Sequence, residues 1–203
     1  MSDSRPAAPG LFVPVIGPSG VGKDSVMAYA ARRLAGHPGI VFVRRVVTRP
    51  ADAGGEDHDS LDEAAFLARA ADGGFSLHWS AHGLHYGLPL SARADVDAGK
   101  VVVANLSRTM IAEARRRFPA VQPVVVTAAR PVVAARLAAR GRESEAEIAR
   151  RLARLEDWHD TADAVPIDNS GPLALAGERL ASLLHEAGEK VRLRSGVIAS
   201  SFN

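Results

Sequence analysis

The sequence predicts an α/β fold in three layers, with helices covering both faces of a central parallel sheet. Three observations carry that prediction. Short apolar runs alternate along the chain with stretches of helical composition, the order of repeated βαβ units. The runs "LFVPVI", "VVVANL" and "PVVVT" are apolar at consecutive positions, as strands covered on both faces must be. The glycine-rich "GPSGVGKDS", residues 17–25, follows the first run directly and opens the first helix.

The elements follow in order. "LFVPVIG" (11–17) reads as a buried strand, and "KDSVMAYAARRLAG" (23–36) as a helix closed by Gly36. "IVFVRRVVT" (40–48) reads as a second strand, and "RPADAGGEDHDS" (49–60) as a loop rich in Gly and Asp. A short helix, "LDEAAFLARAADGG" (61–74), comes next. In "FSLHWSAHGLHYGLPL" (75–90) alternation and His-Gly and Tyr-Gly punctuation predict bent strands. "KVVVANL" (100–106) and "PVVVTAA" (123–129) are strands, followed by the helices "SRTMIAEARRRF" and "RPVVAARLAARG". "SEAEIARRLARLEDW" (144–158) is a further helix, with Ser144 and Glu147 at the spacing of a capping box. "DAVPIDNSG" supplies a last strand and turn, and "PLALAGERLASLLHEAG" a closing helix. The division expected is a flexible leader (1–10), one domain (11–190) and a C-terminal tail (191–203).

Composition narrows the function. The 203 residues, 47% apolar and 24% charged, suit one globular domain with insertions. With no cysteine there is neither disulfide nor thiolate metal site, which fits a cytoplasmic protein. The first ten residues lack the basic-then-apolar order of a signal peptide, and no apolar run has membrane-spanning length. A net charge of +2 argues against a broad nucleic-acid surface, so the partners expected are small molecules. The oligomeric state stays open, a homodimer included.

The glycine-rich turn carries the strongest chemistry. Gly17, Gly20 and Gly22 allow backbone turns that aim successive N–H groups inward, and with Pro18, Ser19, Val21 and the helix N-terminus they form a cradle for phosphate oxygens. Lys23 adds a cation for the β- and γ-phosphates. The usual hydroxyl after that lysine is replaced by Asp24, and a hydroxyl arrives one residue late as Ser25. Two roles suit Asp24: a hard oxygen ligand for Mg²⁺, or a carboxylate that complements the helix dipole.

"GPSGVGK", with "VVTR", "GLHYG" and "ARLAARGRESEAEIARRL", resembles the guanylate kinase branch of the phosphate-loop kinases over residues 11 to about 175. Within that branch, "GPSGVGKDS", "VTRP", "GGEDH", "WSAHGLHYG", "ANLSR" and "RGRES" are most similar to the ribose 1,5-bisphosphate phosphokinases, which make 5-phosphoribosyl 1-diphosphate in bacterial phosphonate breakdown. The resemblance implies an ATP- and Mg²⁺-dependent kinase, with an acceptor-binding insertion at about 49–90 and a helical lid at about 138–155.

It also implies roles for single residues. Arg136, Arg140 and Arg151 match arginines of the lid region that neutralise the transferring phosphoryl group, with Arg142 beside them, whereas Arg150 and Arg154 fit a solvated helix face. Asn169 matches a residue at the adenine edge. Arg49, His58, His82, Tyr86 and Asn105 make up a set of phosphate and hydroxyl partners for the acceptor, while His85 fits packing equally well. Where guanylate kinases carry a second phosphate-binding arginine this chain has Asp52, where they carry a phosphate-binding tyrosine it has His58, and where they carry a guanine-reading glutamate it has Leu77. A phosphorylated sugar suits these changes better than a base. The readings set against it are a GMP kinase and a guanylate-kinase-like binding module without catalysis.

Overall fold

The structure, a computed structural model, describes residues 8–50, 57–139, 149–150, 152–153 and 163–200, with side chains to 196. The chain begins with strand β1 (Leu11–Ile16) and helix α1 (Lys23–Arg33), followed by β2 (Ile40–Phe42). Short strands β3 (Val46–Val47) and β4 (Asp59–Ser60) precede α2 (Glu63–Ala71). A hairpin of β5 (Phe75–Ala81) and β6 (Leu84–Pro89) runs into α3 (Leu90–Asp97) and β7 (Val101–Asn105). After a 3₁₀ turn at Arg108–Met110 come α4 (Ile111–Arg117), β8 (Val124–Thr127) and α5 (Arg130–Ala139). The last elements are β9 (Val165–Asp168) and a long helix, α6 (Leu173–Ser200).

The central sheet has the order β2-β7-β1-β8-β9 and its pairs are parallel, with Val15 beside Asn105 and Ile16 beside Val125. Its strands send alternate residues to opposite faces. Val13, Val15, Val101, Val103, Val124 and Val126 meet Val26 and Ala30 of α1 and Leu180 and Leu184 of α6. Phe12, Ile16, Val102, Ala104 and Val125 meet Ala92 and Val96 of α3 and Ile111 and Ala114 of α4. This is the three-layer α/β arrangement the sequence predicts. Each fully buried Val, Leu or Phe contributes about 1.5–3 kcal/mol, so the two cores hold the site-bearing ends of β1 and β7 rigidly.

α1 and α6 approach closely because residue 177 is glycine. A Cβ there would lie 2.3 Å from Cδ1 of Tyr29. The Tyr29 hydroxyl donates to Glu178 Oε1 at 2.9 Å, and Arg33 Nε donates to the same oxygen at 2.7 Å. The Glu178 bond, which needs the hydroxyl protonated, raises the Tyr29 pKa above its ordinary value of 10.0.

A second sheet, β4-β3-β6-β5, stands beside the first. Val46, Phe66 and Phe75 form its own small core, with the Phe66 and Phe75 rings 4.6 Å apart. Leu77, Trp79 and Leu88 reach the main core from β5 and β6 and fix this sheet to the body.

Four expectations are corrected. "IVFVRRVVT" is not one strand: β2 ends at Phe42 in the central sheet, and β3 starts at Val46 in the other. Consecutive apolar residues satisfied both sheets, so the pattern carried no sign of the exchange between them. Residues 59–60 pair with β3 rather than continuing the loop. α3, capped by Pro89, lies where no element was expected. The closing helix passes through Gly188 to Ser200, so residues 191–200 extend it and do not form a separate tail. A Cβ at Gly188 would sit 3.5–3.7 Å from His37 and Ile40, ordinary contact, so the helix runs on through this glycine without a close approach that demands it.

Candidate active site

β1 delivers the chain at Ile16 into the glycine turn, and α1 starts at Lys23. Gly22 is the N-cap, with φ 92°, a left-handed conformation that favours glycine. A Cβ at Gly22 would also lie 2.5 Å from Asn169 Nδ2, and one at Gly17 2.3 Å from the Val126 carbonyl oxygen. The turn is therefore pressed against β8 and the end of β9, and no side chain fits at either place. No side-chain hydrogen bond caps this end of α1, which suits its first N–H groups to an anion.

The turn is braced from below. Val21 is fully buried, and its carbonyl accepts from Asn169 Nδ2 at 2.7 Å and from an Arg136 guanidinium N–H at 3.4 Å. Lys23 Nζ donates to the carbonyls of Gly17 and Pro18 at 2.9 and 3.0 Å, so the ammonium spans the turn.

At α1's first turn, Asn105 Nδ2 donates to Asp24 Oδ1 at 2.8 Å. Asn105 sits at the carboxyl end of β7, where open α/β sheets bind ligands. Asp24 and Asn105 both line a cavity of about 340 Å³, bordered also by Met27, Arg32, Phe42, Arg44 and Arg45. That volume is in the range of small-ligand pockets.

Arg44, at the border of this cavity, donates to the carbonyl of His58, which meets a further cationic group at the second sheet. Arg49 follows Thr48 past the end of β3. His58, only 4% exposed, puts Nε2 3.2 Å from the Arg49 carbonyl and Nδ1 3.5 Å from the guanidinium. The tautomer with hydrogen on Nε2 satisfies both contacts: it donates to the carbonyl and accepts from Arg49. Ser60 Oγ donates to the same carbonyl at 2.7 Å. Arg49 Nε is buried and has no hydrogen-bond partner among the described residues. Tyr86 stacks on Trp79 with centroids 5.4 Å apart, and Arg45 lies over both rings, 4.8 Å from Tyr86 and 5.7 Å from Trp79.

No family model matches the chain. The chain is 48% identical over 182 residues to the ribose 1,5-bisphosphate phosphokinase of Brucella melitensis, covering 89% of this chain and 95% of the relative. It is 50% identical to the enzyme of the same name from Chelativorans, covering 90% and 88%, and 51% identical to that of Acidiphilium cryptum, covering 86% and 93%. The chain belongs to the ribose 1,5-bisphosphate phosphokinase family. Its fold is similar to that of guanylate kinase from Anaplasma phagocytophilum, with TM-score 0.62 at 21% identity over 89% of this chain and 87% of that one. A gluconokinase from Sinorhizobium meliloti gives TM-score 0.52 at 21% identity, covering 92% and 98%.

In this phosphokinase the expected site residues separate into groups. The turn residues 17–25 and Arg136 are brought together, and Asp24 meets Asn105. Asn169, expected at the adenine edge, is 2% exposed, with its amide nitrogen on the Val21 carbonyl. His58 turns both ring nitrogens toward Arg49. His82 stands exposed at the tip of the β5–β6 hairpin with φ 54°. His85 is a packing residue, stacked on Phe66 and bonded to Ser80. Leu77 is 1% exposed within the core, so this position offers no acceptor for a base edge. Arg140, Arg142, Arg151, Arg154 and Asp52 lie outside the described residues, and Arg150 is exposed.

Arg44 and Arg45 are the residues sequence reasoning missed. Their signal was two charges inside an apolar strand run, where a strand covered on both faces has no room for them. Among the described residues no three His, Asp or Glu side chains group as a metal site, and no helix is long and apolar enough to cross a membrane.

Proposed function

We propose that this kinase transfers the γ-phosphoryl group of ATP to the C1 phosphate of ribose 1,5-bisphosphate, giving ADP and 5-phosphoribosyl 1-diphosphate. An oxygen of the C1 phosphate attacks the γ-phosphorus, the bond to the β–γ bridging oxygen breaks, and ADP leaves with that oxygen. The acceptor oxygen is already anionic, so no side chain has to remove a proton. Positioning and charge neutralisation carry the catalysis. The observation that supports this reading best is the cavity beside the phosphate turn. It is bordered by arginines, and the position matching a base-reading glutamate, Leu77, is sealed in the core.

In this reading the turn and Lys23 hold the ATP phosphates. Arg136, with Arg140 and Arg151 from a lid at about 138–155, meets the transferring group. The acceptor lies against the insertion at about 49–90, with Arg49 on a phosphate, His58 orienting Arg49, and Tyr86 and Asn105 beside the sugar. Asp24 suits Mg²⁺, which takes one or two carboxylates with nucleotide phosphates and water, and the bound ion would neutralise charge on the β- and γ-oxygens. The reaction belongs with the bacterial breakdown of phosphonates in the cytoplasm.

The test is coupled ADP release from purified protein with ribose 1,5-bisphosphate, GMP or no acceptor. GMP lacks two charge-assisted contacts, at the positions of Asp52 and Leu77. Each is worth about 1.5–3 kcal/mol, so GMP should be slower by roughly two to four powers of ten. Lys23→Ala should lower turnover by orders of magnitude with the fold intact. Faster turnover of GMP than of the bisphosphate would hand the assignment to a guanylate kinase, and ADP release unchanged by Lys23→Ala would end the kinase reading.

A further inference from the structure

A bisphosphate presents two dianionic groups, while the sequence pattern supplies the acceptor side with one phosphate-binding arginine, Arg49, and puts Asp52 where a second would stand. The chain passes from the central sheet to the second sheet between Phe42 and Val46, and Arg44 and Arg45 occupy that passage. Both border the cavity that also contains Asp24 and Asn105. We propose that Arg45 is the second phosphate-binding residue of the acceptor site, oriented by the Trp79–Tyr86 stack, and that it sets the preference for a bisphosphate. The inference rests on the acceptor reading above.

The three arginines around the cavity differ in what holds them. Arg44 reaches Asp57 at 3.2 Å, Asp59 at 2.9 Å and the His58 carbonyl at 3.1 Å, so two carboxylates match its charge. Arg32 lies on the exposed side of α1, 5.8 Å from the ring of Tyr29. Arg45 lies over two stacked aromatic rings whose planes are nearly parallel, at 12°. A guanidinium carries its N–H groups in one plane, a fork whose geometry suits two phosphate oxygens at once. The stack also fixes the side chain before the ligand arrives, which lowers the ordering cost of binding. Tyr86 and Trp79 pair across β5 and β6, so the platform is part of a hairpin already tied to the core.

The experiment is steady-state kinetics on the full chain carrying Arg45→Met, which keeps an apolar stem over the rings and removes the charge. The KM for ribose 1,5-bisphosphate should rise about ten- to hundredfold, while the KM for ATP stays within about twofold. Inhibition by ribose 5-phosphate, a non-reacting competitor with one phosphate, should weaken by a smaller factor, so the preference for the bisphosphate narrows. Arg45→Lys, which keeps a point charge without the fork, should recover part of the loss. If Arg45→Met is too unstable to assay, Arg45→Lys carries the test alone, with a severalfold rise in acceptor KM expected. A variant with unchanged acceptor KM, or with acceptor and ATP KM raised together, overturns the proposal and leaves Arg45 as a packing residue. Wild-type turnover of the bisphosphate tests the acceptor reading by itself, and the ratio of variant to wild-type KM tests Arg45, so the two failures are read separately.

Discussion

Replacing Asn169 with alanine removes the amide that holds the phosphate turn from below. Its Nδ2 donates at 2.7 Å to the carbonyl of a fully buried residue, Val21, and Asn169 itself is 2% exposed. What remains on that carbonyl is the Arg136 contact at 3.4 Å, a poor hydrogen bond. Leaving a buried acceptor so weakly satisfied costs about 1–3 kcal/mol. In a chain of this size each kcal/mol lowers Tm by about 2–4 °C, so the expected fall is about 2–12 °C by thermal unfolding. The turn then loses its fixed position under the nucleotide phosphates. Because phosphates are common to all nucleotides, the KM for ATP and for GTP should rise by the same factor. Asn169→Asp should be at least as damaging, since a carboxylate cannot donate to a carbonyl. An Asn169→Ala protein with unchanged Tm and a selective loss of ATP relative to GTP would refute this reasoning and restore the adenine-edge role.

Asp24→Asn keeps an oxygen for the Asn105 bond and removes the charge, so the Mg²⁺ concentration for half-maximal rate should rise severalfold while the fold stays intact. Wild-type Mg²⁺ dependence would leave only the helix-dipole role. Gly177→Val drives a branched side chain into the Tyr29 ring, which stands 2.3 Å from the site of the first added carbon. Overpacking of this kind costs about 1–3 kcal/mol, read as a lower urea midpoint, and an unchanged midpoint would mean α6 can shift. Glu113 is held below its ordinary 4.5 by hydrogen bonds from Arg117 and Arg116. Its contribution to stability is present above pH 4.5 and disappears as pH falls through the lowered value. Glu113→Gln should flatten the fall of urea stability below pH 4.5, and an unaltered slope would show that the pair contributes little.

The parts of the fold written in local pattern were readable. "VVVANL" and "PVVVT" announced strands covered on both faces, and a strand, three glycines, a lysine and a helix announced the phosphate turn. What escaped depends on contacts distant in sequence. The Asp24–Asn105 bond joins residues 81 apart, and Asn169 reaches Val21 across 148 positions. Resemblance placed each of these residues near the site without showing which touched which. His58 read as a ligand because it stands where guanylate kinases carry a phosphate-binding tyrosine. Its burial against Arg49 shows only once β4 folds beside β3. The break at Val43–Arg45 was hidden because apolar residues on both sides of it satisfied two different sheets. The two arginines were the visible trace of the change, and they went unused.

Arg136 and Asn169 grip one and the same oxygen, that of Val21. They come from α5, which leads into residues 140–164, and from the end of β9, which leads out of them. Both gateposts of that stretch are thus fastened to the floor of the phosphate turn. One carbonyl of the nucleotide's own cradle therefore ties the last turn of α5 to the end of β9. Loosening either post would let the cradle move against both elements, a loss read in nucleotide KM and in Tm together.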